Sequence, residues 1–342
     1  MKKSLIALAV AGVVSAPAFA ATSNVDVYGL LNGSVSYVND QSSNINDVQV
    51  SSTGSRIGFK GAEDLGSGLK AIWQFESGVN IDEQSGTWTS RNSFVGLGGG
   101  FGTALLGNHD TPLKMVGRTV DLFGDTIGDS RNVMGGGSDT RAKNVVAYIS
   151  PSFSGFDIIA AYSTDLNVSG SAGDADNSSV YNLSATYKNG PLYLGLGYGD
   201  GDGHEKAGFG KHWRAAAGFT MGSLKFVGQY DTRDDDNSIA SVAANQNGDY
   251  DAWMAGVSYA MGAITLKGNY MDGDYDGAGA ADPKQFNVGA DYAMSKRTKL
   301  YVVYTDGENV TLGSGAGSSD QITSGVAGGD VSGVSLGMVH TF

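Results

Sequence analysis

Five carboxylates and four bases fall within one long connecting stretch, residues 109–142: Asp110, Asp121, Asp125, Asp129 and Asp139 against Lys114, Arg118, Arg131 and Arg141. Further bases sit at alternate positions of apolar segments. Arg56 and Lys60 oppose Ile57 and Phe59, Lys70 opposes Trp73 and Phe75, and Arg91 opposes Phe94; Arg214, Lys225, Lys267 and Lys299 also lie on polar faces. If the 109–142 stretch folds inward, its carboxylates face Arg56 and Arg91 across a narrow gap. Opposed rows of fixed charge then set a transverse field that sorts solutes by sign and polarity.

Covalent chemistry has little to work with. The chain has no cysteine, which removes disulfides, thiolate metal sites and a cysteine nucleophile. The four histidines, at 109, 204, 212 and 340, are isolated. His109-Asp110 is the one adjacent pair resembling part of a hydrolase triad, and no serine is placed by sequence to complete it. Asp272-x-Asp274-x-Asp276-Gly277 imitates the opening of a calcium loop, but Pro283 stands where the bidentate acid belongs. Gly210-Lys211 is followed by His212, so it is no phosphate loop. Neither a cofactor nor a metal is expected.

These charges need a scaffold, and the periodicity after residue 24 is two rather than 3.6. In Tyr181 to Lys188, one face carries Tyr181, Leu183, Ala185 and Tyr187, the other Asn182, Ser184, Thr186 and Lys188. About sixteen such segments follow, by the same period-two criterion, between residues 25 and 342. Their connections alternate short and long. Asn189-Gly190, Met221-Gly222 and Met261-Gly262 read as two-residue hairpins. The stretches 39–54, 81–90, 109–142, 165–178, 200–210, 233–249, 273–283 and 307–330 are the long loops. That rhythm gathers the long loops at one end of an antiparallel sheet.

Aromatics end the apolar faces (Tyr181 and Tyr187, Trp213 and Phe219, Trp253 and Tyr259, Phe286 and Tyr292), as two membrane–water interfaces select. Strands of about ten residues match a tilted transmembrane strand, and lipid tolerates no unpaired sheet edge, so the sheet must close. A soluble sandwich would bury its apolar faces in a core and show no strict long–short alternation. The expected fold is all-β: a 16-stranded antiparallel transmembrane β-barrel with a long third loop folded into the lumen.

Residues 1–20 read as a secretory signal, with Lys2 and Lys3, an apolar stretch from Leu5 to Val14, and Ala18-Phe19-Ala20 before the cut. Residues 21–342 are then the barrel domain. The full chain has 35 acidic and 22 basic residues, a net charge of −13, which argues against a nucleic-acid partner. The long loops hold 25 of the acids but six of the bases, leaving the strands and short turns mildly basic. An acidic rim beside lipopolysaccharide phosphates would call for divalent cations between them.

Particular residues also point to a family. Val27-Tyr28-Gly29, the run Ser55-Arg56-Ile57-Gly58-Phe59-Lys60-Gly61, Glu63-Asp64-Leu65-Gly66, Gly68-Leu69-Lys70-Ala71, Arg91-Asn92-Ser93-Phe94-Val95-Gly96-Leu97 and Asp110-Thr111-Pro112 resemble the general porins of Gram-negative bacteria. The resemblance is closest to the group common in β-proteobacteria and Neisseria. The terminal Phe342, alternating with Met338, Leu336 and Val334, fits it too, although His340 stands where many barrels carry an aromatic.

The resemblance implies a homotrimer in the outer membrane, a third loop in the lumen, and passive diffusion of ions and small hydrophilic solutes. It also implies a basic wall cluster opposing the loop, in which Arg56 and Arg91 match and Arg141 is a third; Lys60 joins them by parity. A mildly basic wall then gives a weak anion preference. A solute-specific channel would need an aromatic ladder or a long arginine track, and an outer-membrane hydrolase would need a completed triad; neither pattern is evident.

Overall fold

The computed structural model describes residues 24–40, 45–82, 88, 91–135, 139–164, 179–201, 210–234, 249–276, 281–312 and 329–342. The signal at 1–20 and most of the long loops expected beyond residue 164 lie outside the described residues. Seventeen strand segments form one antiparallel sheet. They are β1 (Asn24–Asp40), β2 (Ile45–Ser52), β3 (Arg56–Gly66), β4 (Leu69–Gly78), β5 (Ser93–Gly99), β6 (Gly102–Asp110), β7 (Arg141–Ile149), β8 (Phe156–Ser163), β9 (Val180–Asn189), β10 (Leu192–Asp200), β11 (Lys211–Met221), β12 (Leu224–Asp234), β13 (Tyr250–Met261), β14 (Ile264–Tyr275), β15 (Lys284–Ala293), β16 (Thr298–Glu308) and β17 (Val331–Thr341). β2 and β3 pair with successive halves of the same side of β1, so together they fill one position in the wall. The barrel therefore has sixteen positions.

Closure runs from Leu30 opposite Thr341 to Asp40 opposite Val331. Beyond it, Gly29 and Phe342 exchange two backbone hydrogen bonds, at 3.0 and 3.1 Å, so the last residue of the chain finishes the seam. Alternation decides which face meets lipid. In β11, Trp213, Ala215, Ala217 and Phe219 are exposed while His212, Arg214 and Ala216 are buried. The apolar residues on the outer faces of β9 to β17 follow the same rule, and the aromatics that end them (Tyr181, Trp213, Phe219, Trp253, Tyr259, Phe286, Tyr292) are exposed.

Two details differ from the sequence expectation. The stretch 39–54 is mostly strand: β1 continues to Asp40 and β2 sets exposed Val48 and Val50 beside Tyr37 and Val35. Its Asn, Ser, Gln and Asp content hid a two-residue period. The hairpins also sit one residue later than expected. Asn189 pairs with Leu192, Met221 with Leu224 and Met261 with Ile264. Gly190, Gly222 and Gly262 thus take the first loop position at positive φ, the conformation a type II′ turn requires there.

Candidate pore constriction

The connection between β6 and β7 is built to stay against the barrel wall. Thr111 caps a short helix, α1 (Pro112–Arg118), by accepting the Lys114 N–H, and Pro112 occupies its first turn, where a missing N–H costs nothing. Leu113, Val116 and Gly117 form its buried face. A second helical turn, α2 (Arg131–Met134), buries Asn132, Val133 and Met134. Leu113, Val116, Val120, Phe123, Ile127, Val133 and Met134 are all buried, and all but Leu113 cluster with wall residues such as Tyr193, Met254, Met271 and Tyr301. Each such side chain contributes about 1.5–3 kcal/mol when fully buried.

The backbone carbonyls of this connection find their partners on the wall, on the face opposite the exposed apolar band. Tyr193 donates to Val116 O at 3.3 Å, Lys267 to Leu122 O at 3.0 Å, and Asn32 to Asp125 O at 2.8 Å. Asn287 donates to Gly128 O at 3.2 Å and Tyr275 to Val133 O at 2.6 Å. Buried carbonyls outside secondary structure must be satisfied somewhere, and these wall side chains do so from β1, β10, β14 and β15.

Within the connection the charges are largely self-compensating. Arg118 contacts Asp125 and Asp129 at 2.8 Å and Asp121 at 3.2 Å. Arg131 contacts Asp129 at 3.0 Å and Asp125 at 3.5 Å. Burial disfavours the Asp129 carboxylate, yet Arg131 and Arg118 beside it hold its pKa far below the usual carboxylate range. Asp121 goes the other way: burial, joined by the negative charge of Asp129, pushes it up to about 6. Burial likewise lowers the Lys114 ammonium, against the pull of Asp110.

The wall facing this connection carries a second network. Arg91 Nε lies 2.5 Å from Glu76 Oε1, and the Tyr28 hydroxyl donates to the other Glu76 oxygen at 2.9 Å. The Lys60 ammonium sits 5.3 Å over the Tyr28 ring. Arg141 and Lys114 hold Asp110 at 3.1 and 3.2 Å, with Asn92 bridging Arg141 at 2.8 Å and Asp110 at 3.2 Å. Arg56 reaches Asp125 at 4.0 Å.

The residues singled out from sequence therefore come together, but in a different pairing from the one expected. Asp121, Asp125 and Asp129 are neutralised chiefly by Arg118 and Arg131 of their own segment, not by the wall. Arg91 ion-pairs with Glu76 on its own wall at 2.5 Å, a partner that the sequence reading did not give it. The reason is proximity: residues two to eleven apart in a tight turn reach one another more readily than they reach a strand of the wall. Glu76 was missed although parity places it with Arg56 and Lys60, since it alternates with Phe75. Asp139 pairs with Arg214 at 2.5 Å, deep in the wall.

A closed antiparallel barrel, greasy outside and charged within, is a transmembrane pore of the outer-membrane type. The chain belongs to the Gram-negative porin family, whose model matches residues 7–312. It is 31% identical over 331 residues to the major outer membrane protein P.IB of Neisseria gonorrhoeae, covering 88% of this chain and 92% of that protein. The corresponding protein of Neisseria lactamica is 33% identical over 335 residues, with the same coverages. Among solved structures, an anion-selective porin from Comamonas acidovorans matches with a TM-score of 0.75 and 28% identity, over 94% of this chain and all of that one. OmpF of Salmonella typhi shares the fold, with a TM-score of 0.70 at 18% identity over 93% of this chain and 97% of that one. The protein is a passive diffusion channel of the outer membrane, not an enzyme.

Proposed function

We propose that residues 109–142 lie within the bore and form its constriction, and that the passage weakly prefers anions among the ions and small hydrophilic solutes it admits. One observation carries the preference: two of the acids, Asp121 and Asp129, are hidden, whereas the bases around them are partly exposed. The Asp121 and Asp129 side chains are 1% and 0% exposed, whereas Arg118 and Arg56 are each 26% exposed and Arg91 22%. A solute in the gap therefore meets Arg56, Lys60, Arg91, Lys114, Arg118, Arg131 and Arg141 against the partly exposed Asp110 and Asp125. The name of the Comamonas relative agrees with this reading. Reversal potential across a planar bilayer in a potassium chloride gradient tests it. An anion-favouring sign that moves toward cations in Arg56→Gln/Arg91→Gln is expected, and a cation-favouring wild type overturns it.

The same reading has residues 1–20 removed on export and three copies assembling in the outer membrane. Assembly is supported by β5, whose seven residues fall short of the roughly nine to eleven that a tilted strand needs to span lipid. Another copy covers that side of the wall better than lipid does. At the loop end of the outer face, Tyr198 donates to Asp200 at 2.6 Å, Tyr270 to Asp272 at 3.0 Å and Tyr304 to Asp306 at 3.2 Å. Such carboxylates would meet lipopolysaccharide phosphates through divalent cations, and a chelator that leaves lipid retention unchanged contradicts that contact.

A further inference from the structure

Parity puts Arg214, on β11, on the polar face with the other wall bases, yet it is 1% exposed and out of reach of any solute. Its Nε and Nη2 donate to the two oxygens of Asp231 on the neighbouring β12, at 2.8 and 2.5 Å. The remaining donors go to the β6–β7 connection. Nη1 reaches Leu113 O at 3.3 Å and Asp139 Oδ2 at 2.5 Å, and Nη2 reaches Met134 O at 2.9 Å. All five N–H groups of the guanidinium are used. Leu113 lies at the start of the connection and Met134 and Asp139 at its end, so one planar group on the wall binds both stems.

The connection is shaped to receive it. A Cβ at Gly117 would come 2.5 Å from Arg214 Nη1 and 3.0 Å from Gln229 Oε1. A glycine inside a helix is otherwise less favourable than alanine. Its place on the buried face of α1 is explained by the guanidinium that occupies the space a side chain would take.

We propose that Arg214 is the positioning residue of the constriction: it fixes both stems of the connection to β11 and β12, and thereby sets the width of the passage without touching a solute. This rests on the reading of residues 109–142 as the constriction. A lysine could keep the charge beside Asp231 and Asp139 but not the fork that reaches Leu113 and Met134 together.

The test is single-channel conductance, open-channel noise and the exclusion limit for graded polyethylene glycols, measured on the full chain reconstituted in planar bilayers. Arg214→Met and Gly117→Ala are each expected to raise conductance and noise and to admit larger polymers; Arg214→Lys should recover part of the wild-type limit. Gly117→Ala changes no barrel strand, so it answers the question even if Arg214→Met fails to fold. Wild-type conductance and exclusion limit in Gly117→Ala, with an unchanged heat-induced gel shift, overturn the proposal. Deletion of residues 119–130 separates the two readings. If that deletion alters the exclusion limit and the point variants do not, Arg214 has no positioning role. If the deletion also leaves the limit unchanged, the constriction is elsewhere.

Discussion

The carboxylate of Asp125 occupies the space that a side chain at Gly54 would need: a Cβ on Gly54 would lie 2.8 Å from the Asp125 carboxyl carbon. Both residues have positive φ, 59° at Asp125 and 67° at Gly54, a conformation that Asp tolerates and glycine takes freely. Gly54 sits in the break between β2 and β3, and Arg56 donates to its carbonyl at 3.0 Å. The interruption of the wall strand thus forms a notch that receives the tip of the β6–β7 connection. Stem and tip are mounted separately, the stems at Arg214 and the tip at residues 53–56.

A side chain at position 54 should unseat the tip. Gly54→Leu combines backbone strain at positive φ with a contact too close to Asp125. Overpacking of this kind costs about 1–3 kcal/mol. The expected result is a larger and noisier conductance with little change in the temperature at which the folded band disappears on a gel, because the strand pairing on either side of the notch is retained.

Glu76 tempers Arg91. With its carboxylate 2.5 Å from Arg91 Nε, the pair contributes little net charge to the bore. Glu76→Gln leaves an amide oxygen that can still accept from Arg91, and an amide N–H that can donate to the Tyr28 hydroxyl oxygen, but carries no charge. The passage should become more anion-selective, read as a shift of the reversal potential opposite in sign to that of Arg91→Gln. Equal potentials in wild type and Glu76→Gln would mean that Arg91 does not contribute to the field felt by ions.

Acidification should act through Asp121. Its pKa is raised from 3.8 to about 6, so it is ionised at pH 7 and takes up a proton as the pH falls through 6. The connection then becomes one charge more positive and the anion preference increases between pH 7 and pH 5. Stability follows the same proton. The folded chain binds it more tightly than the unfolded one, so the burden of an ionised Asp121, fully present above about pH 6, is relieved progressively down to about pH 4. Asp129, whose pKa is depressed, contributes in the opposite sense, and its stabilisation fades only on acidification below the ordinary carboxylate range. Asp121→Asn should abolish the step in reversal potential near pH 6 while leaving the plateau at pH 5 in place.

Much of the scaffold was legible because lipid enforces a strict two-residue period: in β11 a single slip in register would turn Arg214 outward and Trp213 inward. The exception, β2, shows the limit of that signal, since Asn46, Asp47, Gln49, Ser51 and Ser52 read as loop and only Val48 and Val50 mark the outer face. In the β6–β7 connection, residue types were legible and pairings were not. Arg118 and Arg131 look like free loop bases in the sequence. What makes them the partners of Asp121, Asp125 and Asp129 is the burial of Phe123, Ile127 and Met134, which folds the segment on itself. The segment's charges are its most visible feature in the sequence, but its apolar residues hold it in place.

Closure of the seam depends on the backbone of the final residue more than on its ring. Gly29 and Phe342 exchange two backbone hydrogen bonds, and the Phe342 ring lies where a Cβ on Gly29 would be, 2.3 Å from it. The ring itself is 44% exposed, so Phe342→Ala loses part of an aromatic contact and keeps both hydrogen bonds. Deleting residue 342 removes the ring and both hydrogen bonds, and leaves the N–H and C=O of Gly29 without partners at a lipid-facing edge, where each unsatisfied group costs several kcal/mol. The deletion should therefore lower the temperature of the heat-induced gel shift well below that of Phe342→Ala. Equal losses in the two variants would show that the aromatic contact, rather than the pairing, closes the barrel.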